Sequence, residues 1–122
     1  MDDETELETW PEEIRLHEKG ARLAVTFDNG ESFDFTAEFL RVTSPSAEVQ
    51  GHHPSQRQTV PGKKNVRITR IEPLGNYAVK LVFDDGHDTG LFTWEYFLDV
   101  GRNMDFFWKD YLERMEDEGL QR

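Results

Sequence analysis

The chain contains no cysteine in 122 residues. That excludes disulfides, thiolate metal ligands and cysteine nucleophiles. No apolar run approaches the roughly 18 residues of a membrane span. The opening stretch, "MDDETELETWPEE", lacks the apolar core of a secretory signal. A soluble cytoplasmic protein without membrane contact is the expectation. There is no G-x-S-x-G elbow and no glycine-rich phosphate loop, since "FDNGE" and "FDDGH" read as hairpins. Independent catalysis is therefore not expected. Hydrophobic residues are only 36% of the chain, so a core must lean on large side chains. Nine Phe, three Trp and three Tyr supply them.

Basic residues are also scarce, and unevenly placed. The formal net charge of -11 opposes general nucleic-acid binding. Residues 1–13 hold seven acids and no base. The stretch from Arg57 to Arg70 holds five bases (Arg57, Lys63, Lys64, Arg67, Arg70) and no acid. It reads either as a solvated loop and strand face or as a basic docking patch for an acidic partner.

What is present is a repeated pattern. "EIRLH" alternates Ile14 and Leu16 with polar residues, as a half-buried strand does. "ARLAVTF" sets Leu23, Val25 and Phe27 on one face. Asn29-Gly30 is a hairpin turn, because both residues tolerate positive φ. "SFDFT" returns, and Thr36 caps a short helix, "AEFLRV". The same order recurs after residue 65: "VRITRIE", "YAVKLVF", a turn at Asp85-Gly86, "DTGLF", then Thr93 before "WEYFLDV". Phe27 matches Phe83 and Gly30 matches Gly86. With one residue inserted, Phe35-Thr36 matches Phe92-Thr93. This is a β-β-β-α quasi-repeat of roughly 56 residues, with chance likeness of two hairpins as the alternative. The inserted residue suits a bulge in the second return strand.

Residues 43–65, rich in Ser, Pro, Gln and Gly, show no period and read as a long loop. A last helix over 103–118 starts at Asn103 and ends at Gly119. Met104, Phe107, Trp108, Tyr111, Leu112 and Met115 form its apolar stripe. Trp94, Phe97, Phe107, Trp108 and Leu112 are expected to be largely buried. Phe106 lies off the stripe, and either packs on the preceding helix or is an exposed contact residue. The predicted architecture is α+β: two antiparallel three-stranded units, each followed by a short helix, with the longer C-terminal helix packed on the sheet. It forms one domain over 12–122 after an acidic, flexible segment, 1–11.

"LRVTSPSAEVQGHH" and "YAVKLVFDDGHDTGLFTWEYFLDVG" resemble the gamma-butyrobetaine hydroxylase-like N-terminal domain family over about residues 12–105. In the hydroxylases this module precedes an iron-dependent oxygenase domain and holds zinc through three cysteines and one histidine. The resemblance carries the histidine onto His87 and the cysteines onto Ser44, Ser46 and Val49. Hydroxyls and a valine cannot stand in for thiolates on zinc. The resemblance implies that the oxygenase activity is not expected to transfer, since these 122 residues are too few to include that domain as well. Relatives fused to iron–sulfur carrier ATPases suggest iron handling as a context.

Two readings of function remain. In the first, the chain is a non-catalytic adaptor that docks a protein partner through the 43–65 loop, with Ser44, Ser46, Glu48, Gln50, Arg57, Lys63 and Lys64 as contact residues. In the second, it binds iron or zinc through His87 with His52 or His53, and Glu48 or Asp88 adds a carboxylate. Ser44 and Ser46 beside His87 also make a nominal hydrolase pair, without an obvious orienting acid. His87 sits where Glu31 sits in the first half, so turn chemistry alone does not require a histidine there.

Overall fold

The computed structural model describes residues 9–51 and 53–122. The first unit pairs β1 (Pro11–His17), β2 (Arg22–Phe27) and β3 (Ser32–Thr36) in an antiparallel sheet in that order. The short helix α1 (Ala37–Val42) follows, and Thr36 Oγ1 accepts the Phe39 N–H at its start. The second unit pairs β4 (Ile68–Leu74), β5 (Ala78–Phe83) and β6 (Leu91–Thr93) in the same way. It ends in α3 (Trp94–Arg102), which Thr93 Oγ1 caps through the Tyr96 N–H. Between the units the 43–65 segment is less irregular than expected. It carries one helical turn, α2 (Ala47–Gln50), and a short 3-10 turn at Pro54–Gln56.

The repeat extends to individual hydrogen bonds. The Phe27 N–H donates to the Glu31 carbonyl at 2.8 Å, and the Phe83 N–H donates to that of His87 at 3.0 Å. Gly30 and Gly86, at φ 94° and 92°, close the two turns onto Phe27 and Phe83. The register of β1 on β2 slips between Pro11 and Glu13, and that of β4 on β5 slips at the matching place, between Ile68 and Arg70. The halves differ in the return strand. β3 pairs in register from its turn onward, while β6 is only three residues long. The extra residue falls in the unpaired stretch between His87 and Leu91, and β6 itself pairs on β5 without a register slip, so the expected bulge does not lie within the paired strand.

One core joins both units. Leu23, Val25 and Phe35 of the first sheet pack with Leu81, Phe83 and Phe92 of the second, and Phe97 of α3 is fully buried among them. The last helix, α4 (Met104–Asp117), meets this core through Met104, Phe107 and Trp108. It continues as a smaller cluster of Tyr111 and Met115 on Val42.

Several burial expectations need correction. Leu112 is exposed, because it stands about 100° around the helix from Tyr111, at the edge of the stripe. Trp94, Phe107 and Trp108 are only half-buried. Phe106 is exposed, the second of its two expected placements, with its ring edge-on to Phe107. Asn103 does not cap α4 with its side chain; its Nδ2 donates back to the Asp99 carbonyl and so closes α3. The sheet also begins earlier than expected. Trp10 exchanges hydrogen bonds with Asp28, so residues 10 and 11 belong to the fold. Residues 1–8 of the expected flexible segment lie outside the described residues.

Gly20 marks where the first unit touches the second. Its φ is 92°, and a Cβ there would lie 2.1 Å from the Ile68 carbonyl oxygen. At Gly30 the same backbone conformation faces open space. Gly30→Ala should therefore cost only the left-handed penalty, about 1–2 kcal/mol, whereas Gly20→Ala adds a backbone clash and should cost about 3 kcal/mol or more. Urea unfolding of the pair measures the difference; equal costs would place the contact wrongly.

Candidate functional site

The second hairpin turn places His87. The Asp85 carboxylate accepts the His87 N–H at 3.0 Å, just as Asn29 Oδ1 accepts the Glu31 N–H at 2.9 Å in the first turn. The ring then points inward, against Phe83, and the His87 side chain is only 2% exposed. From the other side comes the start of the long loop. Ser46 caps α2 through the Glu48 N–H, and the Gln50 amide donates to the Ser44 carbonyl at 2.8 Å. The Tyr96 hydroxyl of α3 donates to the Thr43 carbonyl, and burial raises its pKa. These bonds hold residues 43–50 in one shape.

The two sides meet at the imidazole. Ser44 Oγ lies 2.9 Å from Nε2, and Glu48 Oε1 lies 2.9 Å from Nδ1. A carboxylate accepts only, so Nδ1 carries the hydrogen. Nε2 of the neutral ring then accepts the Ser44 hydroxyl, and Ser44 Oγ in turn accepts the Ser46 N–H at 3.3 Å. Every group has a partner in this tautomer. Burial holds the His87 pKa below its usual value, and the nearby Arg41 charge lowers it further, against the opposing pull of Glu48 and Asp85. The neutral ring that the geometry requires is therefore the one the electrostatics favour.

Asp85 anchors the surroundings. Its Oδ2 pairs with Arg41 Nε at 2.8 Å and with Lys63 Nζ at 2.6 Å. Burial alone would raise its pKa, but Lys63, the His87 N–H and Arg41 together bring it to about 2. By sequence Asp85 is a turn former; its long-range partners, Arg41 and Lys63, appear only in the fold.

The equivalent position in the first hairpin makes a reciprocal contact. Glu31 receives Arg102 in a forked pair, with Nη2 at 2.6 Å and Nε at 2.9 Å. The hydrogen bonds from Arg102 and Asn29 bring its pKa to about 2. Arg102 ends the helix of the second unit, and Ser44 lies just past the helix of the first. Each hairpin thus grips the other unit at or just past the end of its helix.

Ser44, Ser46, Glu48 and Gln50 are brought together with His87. Ser44 is fully buried and Ser46 is 5% exposed, with Ser46 Oγ held by Thr89 at 2.6 Å. Burial leaves both serines without the surface a partner would touch. Glu48 keeps a 64% exposed side chain. Lys63 is used internally, whereas Arg57 and Lys64 are exposed and without an ion-pair partner among the described residues. Farther along the basic stretch, Arg67 donates to the Glu18 carbonyl and Arg70 pairs with Glu72. His53 is exposed, and His52 lies outside the described residues. No group of three His, Asp or Glu side chains able to hold a metal occurs among the described residues.

Comparison with known proteins places the chain in a family. The family model described as gamma-butyrobetaine hydroxylase-like, N-terminal, matches residues 14–98. The chain belongs to the gamma-butyrobetaine hydroxylase-like N-terminal domain family. Two proteins with NMR solution structures are similar: one is 46% identical (TM-score 0.79, covering 93% of this chain and 89% of that one). The other is 47% identical, with the same TM-score, covering 93% and 84%. A protein of unknown function of the DUF971 family from Acidithiobacillus ferrooxidans is 38% identical (TM-score 0.62, covering 75% and 91%). No curated protein matches. No helix among the described residues is long and apolar enough to cross a membrane.

The zinc donor set implied for hydroxylase members of this family does not fit here. Ser44 offers a hydroxyl already bonded to His87, Ser46 one bonded to Thr89, and Val49 is buried hydrocarbon. Zinc requires thiolate, imidazole or carboxylate donors.

Ser44→Ala removes the only donor to Nε2 and leaves a buried acceptor unpaired, so it should cost about 1–3 kcal/mol. Glu48→Gln, at an exposed carboxylate, should cost less than about 1 kcal/mol. Because the folded pKa of His87 lies below 6.5, unfolding takes up its proton. Its contribution to stability is fully present above pH 6.5 and is lost as pH falls through the folded pKa. Urea unfolding between pH 7 and 5 should show this loss in the wild type and a smaller one in His87→Gln; identical slopes would contradict it.

Proposed function

We propose that this domain is a non-catalytic accessory module that docks a protein partner through the outer face of its 43–65 loop. The observation that carries this reading is the closed bonding of His87. Both ring nitrogens are used inside the protein and fix the start of the loop, while Tyr111 and Thr59 fasten its far part. A pre-shaped loop loses little entropy on binding. Its outward charges, Glu48, Arg57 and Lys64, are the contact groups this reading assigns. Arg57 also lines a cleft of about 230 Å³ with Gln50, Tyr96 and Phe107. An acidic partner surface suits Arg57 and Lys64, and the cytoplasm is the setting assumed.

Ser44, His87 and Glu48 have the connectivity of a hydrolytic triad, with Glu48 as the orienting acid. Ser44 is nevertheless fully buried and its Oγ accepts a backbone N–H. A nucleophile needs a path to substrate, so the arrangement serves as a clasp. The metal reading, iron or zinc on His87 with His52 or His53, would require Ser44 to give up Nε2 or Glu48 to give up Nδ1. It would also leave the metal short of donors among the described residues.

The loop cannot simply be deleted as a test. Tyr111 donates to the Val60 carbonyl and Thr59 to Glu118, so its second half also anchors α4. Point changes are cleaner. Arg57→Glu with Lys64→Glu should weaken capture of a partner protein at least about tenfold, since like charge now faces its acidic surface, while the melting curve stays unchanged. Undiminished capture would reject the loop face. A melting temperature raised by zinc or ferrous iron, and not raised in His87→Ala, would replace this reading with the metal one.

A further inference from the structure

A second site lies on α1 and α4, built on residues other than Arg57 and Lys64. Glu38 sits in the first turn of α1, and its side chain is only 5% exposed. A carboxylate this deep needs hydrogen-bond donors, and a cation serves best. The cation comes from Arg122. Its Nη2 lies 2.9 Å from Glu38 Oε1 and its Nε 3.0 Å from Oε2, a forked pair using both carboxylate oxygens. The same guanidinium lies over the Trp108 ring, 5.3 Å from the centroid. Carboxylate fork and aromatic face together are the recognition elements of an arginine side chain. An ammonium cannot fork or stack in the same way.

Arg122 reaches this place by a defined fold-back. The Leu120 N–H donates to the Met115 carbonyl at 2.9 Å, and the Gly119 N–H to that of Glu116 at 3.1 Å. With Gly119 at φ 68°, this is a helix-ending αL reversal. Beyond Leu120 a backbone bond from the Gly62 N–H to the Gln121 carbonyl also holds the tail. The Arg122 side chain remains 44% exposed while Glu38 is buried. Around the pair the groove opens to about 270 Å³, with Asp34, Met104 and Asp105 also on its walls. The permanent half of the site, Glu38 and Trp108, belongs to the body of the domain. The occupant belongs to the segment after the reversal at Gly119.

We propose that Glu38 and Trp108 form a binding site for an arginine side chain of a partner polypeptide, filled in cis by Arg122 until the partner displaces it. The tail competes at an effective concentration on the order of millimolar, so a lone arginine should bind the wild type poorly. A partner that also contacts the groove walls gains what the tail lacks.

The test is a titration of the full chain with N-acetyl-arginine amide, followed by the indole N–H signal of Trp108 in a two-dimensional NMR spectrum. Arg122→Ala should show a saturable Trp108 shift with half-saturation at least about tenfold below that of the wild type. Adding Glu38→Gln to that variant should abolish it. Arg122→Gln serves as a second variant if the orphaned Glu38 destabilises the first, and should behave likewise. A folded variant with no saturable shift would overturn the proposal. So would equal binding after Glu38→Gln, or butylammonium binding as tightly as the arginine amide.

Discussion

The structure depends on one imidazole buried in its neutral form. His87 stands at the end of a hairpin turn, where its own backbone and Asp85 fix its direction. Its two nitrogens then tie residues that lie 43 and 39 positions away, Ser44 and Glu48. Few side chains suit this place. A carboxylate could not donate to Glu48, and a lysine would be a buried charge. Histidine donates on one side and accepts on the other without carrying charge. The long segment between the two units is fastened at its beginning by this means, and at its far part by Tyr111 and Thr59.

The same logic operates in mirror fashion in the first unit, with different chemistry. Glu31 is half-buried rather than buried, so an ion pair with Arg102 suffices there and need not be neutral. Two quasi-identical hairpins thus use the position after the turn to grip the opposite unit. The two grips add to a core that both sheets share, and a larger single core buries a greater fraction of its surface than two halves would. The shared aromatic core and the two grips together make one domain of two halves.

Much of this was legible in the sequence because its signals are local. The hairpins at Gly30 and Gly86, the Thr36 and Thr93 caps and the alternating Phe residues each depend on a few neighbouring residues, and all are found where expected. The family resemblance brought His87, Ser44 and Ser46 toward one place. What was not legible depends on distance or on solvent. Nothing local distinguishes Asp85 as an anchor for Arg41 and Lys63, because all three are ordinary surface residue types. The two serines read as polar loop and are inside, since their hydroxyls found buried partners. Leu112 satisfies the helical period yet lies outside, because the period defines a stripe and not its edges. Arg122 carries no sequence signal at all; only the reversal at Gly119 brings it to Glu38 and Trp108.

The central claim is that His87 is a neutral clasp with its proton on Nδ1. Nitrogen-15 NMR of the ring reads this directly through the two nitrogen shifts at pH 7. The account predicts a protonated Nδ1 and a bare Nε2 that accepts a hydrogen bond, changed by Ser44→Ala at Nε2 alone. A doubly protonated ring at that pH, or the proton on Nε2, would contradict it.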